Sequence, residues 1–179
     1  SAEGATDAAN KLIQAFGLQT DSKYTFAKIA SQDLVNLLTD LADMDETDPL
    51  LNVKTVNAAR AIAKMPQVAT QNALEKLIVD ERPVVRLYGW AGYKGIRLLL
   101  LNQGGDALET FKSSVKTRLA EETNPVALKM VLEAIDLPVR RDESVDEAIY
   151  SEMAALFLTD ITDNLPAYAT LCALADAET

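Results

Sequence analysis

The sequence predicts an all-α protein, a stack of about four antiparallel helix pairs. Three observations predict it. First, four short segments share one punctuation. Glu46-Thr47-Asp48-Pro49, Asp80-Glu81-Arg82-Pro83, Glu122-Thr123-Asn124-Pro125 and Asp163-Asn164-Leu165-Pro166 each place an acid three residues before a proline. Second, an apolar helical run lies on either side of each segment, and the prolines recur at intervals of 34, 42 and 41 residues. A period in this range belongs to stacked helix pairs. Third, 49% of the 179 residues are hydrophobic, with only 7 glycines and 6 prolines, so good helix formers dominate. A closed helical bundle is the alternative, because four short units barely define a superhelix.

The elements follow in order as one domain over 1–179. Residues 1–30 read as N-terminal capping helices, and the pairs as 31–65, 66–102, 106–137 and 142–178. Asp7 to Phe16 is helical through Ala8, Leu12, Ala15 and Phe16, with Gly17 as its stop. Lys23 to Ala30 reads as a second short piece. Ser31 then reads as the N-cap of Gln32 to Ala42, whose apolar face is Leu34, Val35, Leu37, Leu38 and Leu41. After the acidic turn, Leu50 to Met65 returns with Leu51, Val53, Val56, Ala59, Ile62 and Ala63 apolar. Pro66 breaks the pattern. Val68 to Val79 and Pro83 to Leu101 form the second pair. Asn102-Gln103-Gly104-Gly105 is a turn, and Asp106 caps a helix to Glu121. Pro125 opens a helix to Leu137. Ser144 and Glu147 form a capping box for a helix to Leu158, and Pro166 to Ala177 closes the fourth pair.

The phase of the prolines has a physical reason. The first turn of a helix leaves its N–H groups without intrahelical partners, so a proline there loses nothing. An acid just before it accepts backbone N–H bonds and meets the positive end of the helix dipole.

Asp80, Pro83, Val85 and Arg86 together resemble the HEAT-type helical repeat, in which the turn carries an acid and a proline and an arginine follows Pro-x-Val. Glu122, Pro125 and Val126 match in part, with Leu128 at the arginine position. Asn52 and Ala169 stand there in the first and fourth units, and nothing before about residue 31 matches. The resemblance implies a right-handed α-solenoid with a concave face lined by the second helix of each pair. A repeat scaffold works through its surface and not through a buried catalytic pocket.

The chemistry is bounded by composition. The net charge of −10 repels nucleic acid and anionic membrane. With no histidine, His-based triads and His metal sites are excluded. The one cysteine, Cys172, cannot form an internal disulfide and reads as a small buried hydrophobe. No signal peptide or spanning segment is visible. The chain begins at Ser1 without an initiator methionine, so a trimmed domain and a mature domain that has lost a leader both fit. A soluble protein, cytoplasmic or exported, is expected. Asp43, Asp45 and Thr47 fit the first ligand positions of a calcium loop. Asp48 replaces its glycine and Lys54 its final glutamate, so no metal is expected. The acids Asp142, Glu143, Asp146 and Glu147 read as a solvated helix start. No phosphate loop or nucleophile elbow appears. No catalytic residue and no cofactor is therefore assigned.

The sharpest surface candidate is the stripe Arg86, Trp90, Tyr93 and Arg97, with Lys94 beside it. These residues share one face at helical spacing, while Val84, Leu87, Ala91 and Leu98 would face the core. Trp, Tyr and Arg dominate binding hot spots, and this is one locally basic, aromatic helix in an acidic chain. Gly89, Gly92 and Gly95 within it demand an offset: close packing of a neighbouring helix, or close approach of a ligand. The expected function is a non-catalytic protein–protein interaction module that takes an acidic or polar partner segment or a second copy of itself. The alternative is a carboxylate-dependent enzyme on the same scaffold.

Overall fold

The computed structural model describes residues 1–44 and 48–135. Seven α-helices and no strand occur among them: α1 (Ala2–Leu18), α2 (Lys23–Ala42), α3 (Leu51–Ala63), α4 (Gln71–Leu77), α5 (Pro83–Gln103), α6 (Gly105–Glu121) and α7 (Pro125–Ile135). No described helix is long and apolar enough to cross a membrane. The expected fourth pair at 142–178, with its capping box and Cys172, lies outside the described residues, as do Asp45, Glu46 and Thr47. The chain divides into two compact units, Ser1–Ile96 and Arg97–Thr179.

In the first unit, α1 and α2 both pack on α3. α3 is therefore enclosed on most sides, which buries Thr55, Asn57, Ala58 and Ala61 along with Ala59, Ile62 and Ala63. Ser1 caps α1, its hydroxyl accepting the Gly4 N–H at 3.2 Å. α1 and α2 meet near their connection, where the Phe16 and Phe26 rings lie 6.3 Å apart beside Ala27 and Met65.

Several boundaries differ from the sequence reading. α1 begins at Ala2 and passes through the expected stop at Gly17 to Leu18, and α5 continues through Asn102 and Gln103, which the sequence placed in a turn. The expected break at Ser31 is absent and α2 runs unbroken. Ser31 is buried and its hydroxyl bonds back to the Lys28 carbonyl at 3.2 Å, a local bond open to a mid-helix serine as much as to a cap. The helix after Pro66 begins as a 3-10 turn, Val68–Thr70, before α4.

Of the acids three residues before a proline, Asp80 and Glu122 are described and behave alike, and Asp48, directly before Pro49, makes the same bond. Asp48, Asp80 and Glu122 each accept the backbone N–H two residues on, from Leu50 at 2.8 Å, Arg82 at 2.9 Å and Asn124 at 2.9 Å. Pro83 and Pro125 are the first residues of α5 and α7, where the missing N–H is harmless. Pro49 instead stands two residues ahead of α3, in the turn.

The order of contacts makes α5 antiparallel to α4. A Cβ on Gly89 would meet Ile78 and Leu77, and one on Gly92 would meet Leu74. Positions rise along α5 as they fall along α4. Close helix approach, not a ligand, accounts for these two glycines.

In the second unit, α6 packs on α7, burying Leu108, Phe111, Val115 and Leu119 of the one and Ala127, Leu128 and Val131 of the other. Gly104 and Gly105 carry φ of 64° and 62°, a conformation that favours glycine. α6 begins at Gly105, so Asp106 sits in its first turn and is not the cap. Asn124 caps α7 by accepting the Val126 and Ala127 N–H groups at 3.0 and 3.1 Å.

The glycines of α5 give a prediction with two signs. A Cβ at Gly89 would lie 2.7 Å from Ile78 Cγ2 and 3.0 Å from the Ile78 backbone nitrogen. At Gly95 the nearest atom, Pro66 Cβ, is at an ordinary 3.5 Å. Gly89→Ala should destabilise by about 1–3 kcal/mol through overpacking. Gly95→Ala should be neutral or stabilise by up to about 1 kcal/mol through helix propensity. Urea unfolding of the two variants measures both.

Candidate functional site

The α5 stripe falls apart residue by residue. Trp90 and Tyr93 are both 0% exposed, with rings 5.5 Å apart and tilted by 35°. The Tyr93 hydroxyl donates to the Glu75 carboxylate on α4. The Trp90 indole N–H meets no acceptor among the described residues. Arg86 is half-buried, its Nη1 donating to the Asp80 and Glu81 carbonyls, both at 2.9 Å. It stitches the turn ahead of its own helix. Arg97 is half-buried and its Nη1 reaches the Glu133 carbonyl at 3.4 Å. Lys94 alone among the five is exposed.

The expected orientation of α5 is thus corrected. Val84 and Leu98, expected in the core, are 39% and 37% exposed. Val85, Trp90, Tyr93, Ile96 and Leu100 are buried instead. The physical reason is the glycines. Gly89 and Gly92 admit α4 on the Trp90–Tyr93 side, so the aromatic rings are drawn in with them.

The Asp80 turn is an electrostatic unit. Arg82 grips the Asp80 carboxylate with Nε and Nη2, both at 2.8 Å, and Nη1 reaches Thr55 Oγ1 on α3 at 3.2 Å. Burial pushes the Asp80 carboxyl up. The hydrogen bonds from the Arg82 side chain and backbone, with the Arg82 and Arg86 charges, outweigh it and hold the group below its ordinary 3.8. These contacts position helices and leave no open chemistry. Among the described residues, no three His, Cys, Asp or Glu side chains gather in a way that could hold a metal ion.

An open apolar cleft lies elsewhere in the first unit. Ala5, Ala8, Ala9 and Leu12 of α1 form one wall, Leu34 and Leu37 of α2 the other, and Lys54, Asn57 and Ala58 of α3 the floor, enclosing about 290 Å³. Small alanines on α1 leave room that Leu34 and Leu37 do not fill; Leu37 is 42% exposed. The polar groups of the floor are already engaged. Asn57 Nδ2 donates to the Val53 carbonyl at 2.9 Å and to Thr6 Oγ1 at 3.2 Å, and Lys54 Nζ pairs with Asp48 at 2.8 Å. What remains on offer is apolar contact.

Sequence reasoning missed this cleft because it assigned Ala8, Leu12, Leu34 and Leu37 to helix faces that would simply be covered. The signal was the row of alanines on α1 opposite bulky leucines on α2. Glu75 was missed too, since nothing in spacing links it to Tyr93.

No protein-family model matches the chain, nor does any curated protein or solved structure.

Two outcomes follow from the geometry. Trp90→Ala should cost about 3–5 kcal/mol of stability, the range for emptying a buried aromatic site, read as a large drop in the urea midpoint. The Asp80 carboxylate, with its lowered folded pKa, contributes stability that is present above the unfolded value near 3.8. That contribution is lost as the pH falls through the lower folded value. Asp80→Asn should therefore flatten the acid limb of a stability–pH curve below about pH 4.

Proposed function

We propose that this chain is a non-catalytic protein–protein interaction module on a helix-pair scaffold of the HEAT-like kind. The cleft between α1 and α2 is the observation that carries the reading. Apolar grooves between helices are what an amphipathic partner helix lays its anchors into. Here the walls are apolar, the floor's polar groups are satisfied, and Leu37 stands open at the edge. Exposed apolar surface rimmed by polar residues marks interaction sites.

The docking face moves accordingly from α5 to α1 and α2. An acidic segment arriving at α5 would meet Lys94 and half-buried guanidinium groups, without the two rings that would carry most of the energy. The turn acids and prolines at Asp80–Pro83 and Glu122–Pro125 support the scaffold half of the reading, because each sets the start of a helix without using the exposed faces.

Leu37→Asp places a charge at the cleft edge on a residue already 42% exposed. It should leave the helical content and urea midpoint nearly unchanged. Proteins retained from a source lysate by the wild-type chain should be lost from the variant. Identical capture profiles, with both chains folded, would remove the cleft as the binding face.

A further inference from the structure

We infer that the occupant of the α1–α2 cleft is a basic amphipathic helix of another protein, an inference that rests on the docking role proposed above. The argument is charge complementarity around an apolar seat. On α2, Asp33 and Asp40 stand one turn to either side of Leu37, at the spacing that puts side chains on one helix face. Both are exposed, as is Asp43 just beyond the helix end. None of the three makes an ion pair or side-chain hydrogen bond among the described residues.

Lys54, the base in the cleft floor, is paired, its Nζ 2.8 Å from Asp48 Oδ2. Arg60, beside Asn57, donates to the side-chain oxygens of Asn57 and Asn10 at 3.4 and 2.9 Å. With its exposed acids unpaired among the described residues, α2 presents negative charge beside a seat whose walls offer apolar contact. A partner that fits carries aliphatic side chains on one face and Lys or Arg on the flank.

A helix fits better than a strand. The α1 wall, Ala5, Ala8, Ala9 and Leu12, is a row at helical spacing, and such rows take the ridge of another helix. A strand would need an unpaired sheet edge to add to, and the walls are helices. The net charge of −10 steers a basic partner toward the chain before contact.

The test uses two synthetic helical peptides with leucines at i, i+3, i+4 and i+7, one with lysines and one with glutamates at the other positions. Binding is read by fluorescence anisotropy against the wild-type chain, Leu37→Asp and the double variant Asp33→Asn/Asp40→Asn. Circular dichroism confirms that each variant is folded. The lysine peptide should bind the wild type in preference to the glutamate peptide and lose affinity as salt rises. The double variant should weaken it about fivefold, the scale of two exposed charge pairs, and Leu37→Asp should weaken it further.

Equal binding of both peptides, still lost on Leu37→Asp, overturns the basic partner and leaves the docking cleft standing. Binding indifferent to Leu37→Asp, or no binding of the lysine peptide, overturns the inference. Sedimentation closes the remaining case: a wild-type dimer that Leu37→Asp disperses makes a second copy the occupant and overturns the inference as well.

Discussion

The approach of α5 to α4 at Gly89 and Gly92 is the constraint on which the first unit depends. At Gly92 a Cβ would come within 2.4 Å of a Leu74 methyl, so a larger residue at this point would push the helices apart. Contact this close turns one face of α5 inward and takes Trp90 and Tyr93 with it. Tyr93 then needs a partner for its hydroxyl, and Glu75 supplies it. The Asp80–Arg82 fork and the Arg86 bonds fix where α5 begins. The glycines are unfavourable within a helix by roughly 1 kcal/mol each; the packing they permit offsets that cost.

Much of the described fold was legible in the sequence. Two of the turns were, because an acid three residues before a proline at a helix start has one economical use, and Asp80 and Glu122 both accept the nearby N–H groups. The phase of α5 was not. Its apolar residues fall on two sides, and hydrophobic spacing alone cannot choose between Val84, Leu87 and Leu98 on one and Val85, Ile96 and Leu100 on the other. The glycines chose, through a tertiary contact that no local pattern encodes. α3 was half legible. Its apolar stripe was visible, but Thr55 and Asn57 look like surface residues until Arg82 and α1 close over them. Ser31 misled for a related reason, since a serine bonds equally well to a cap N–H and to a carbonyl one turn back.

The candidate site was legible least of all. Trp, Tyr and Arg at helical spacing resemble a hot spot whether they face water or the core, and composition does not distinguish the two. The cleft gave the opposite impression. Alanines and leucines on α1 and α2 look like ordinary covered faces, and only the packing of both helices on α3 leaves space between them. On the proposed scaffold, function would follow from which apolar faces remain uncovered after the helices have satisfied one another.

α5 turns its aromatic face inward, and the docking proposed for this chain falls for that reason to α1 and α2. Trp90 is the one tryptophan in the chain, which makes its fluorescence a direct test. The folded protein should emit at short wavelength and resist quenching by acrylamide, and both properties should be lost on unfolding in urea. Red-shifted, freely quenched emission from the native protein would place Trp90 at the surface and contradict the account.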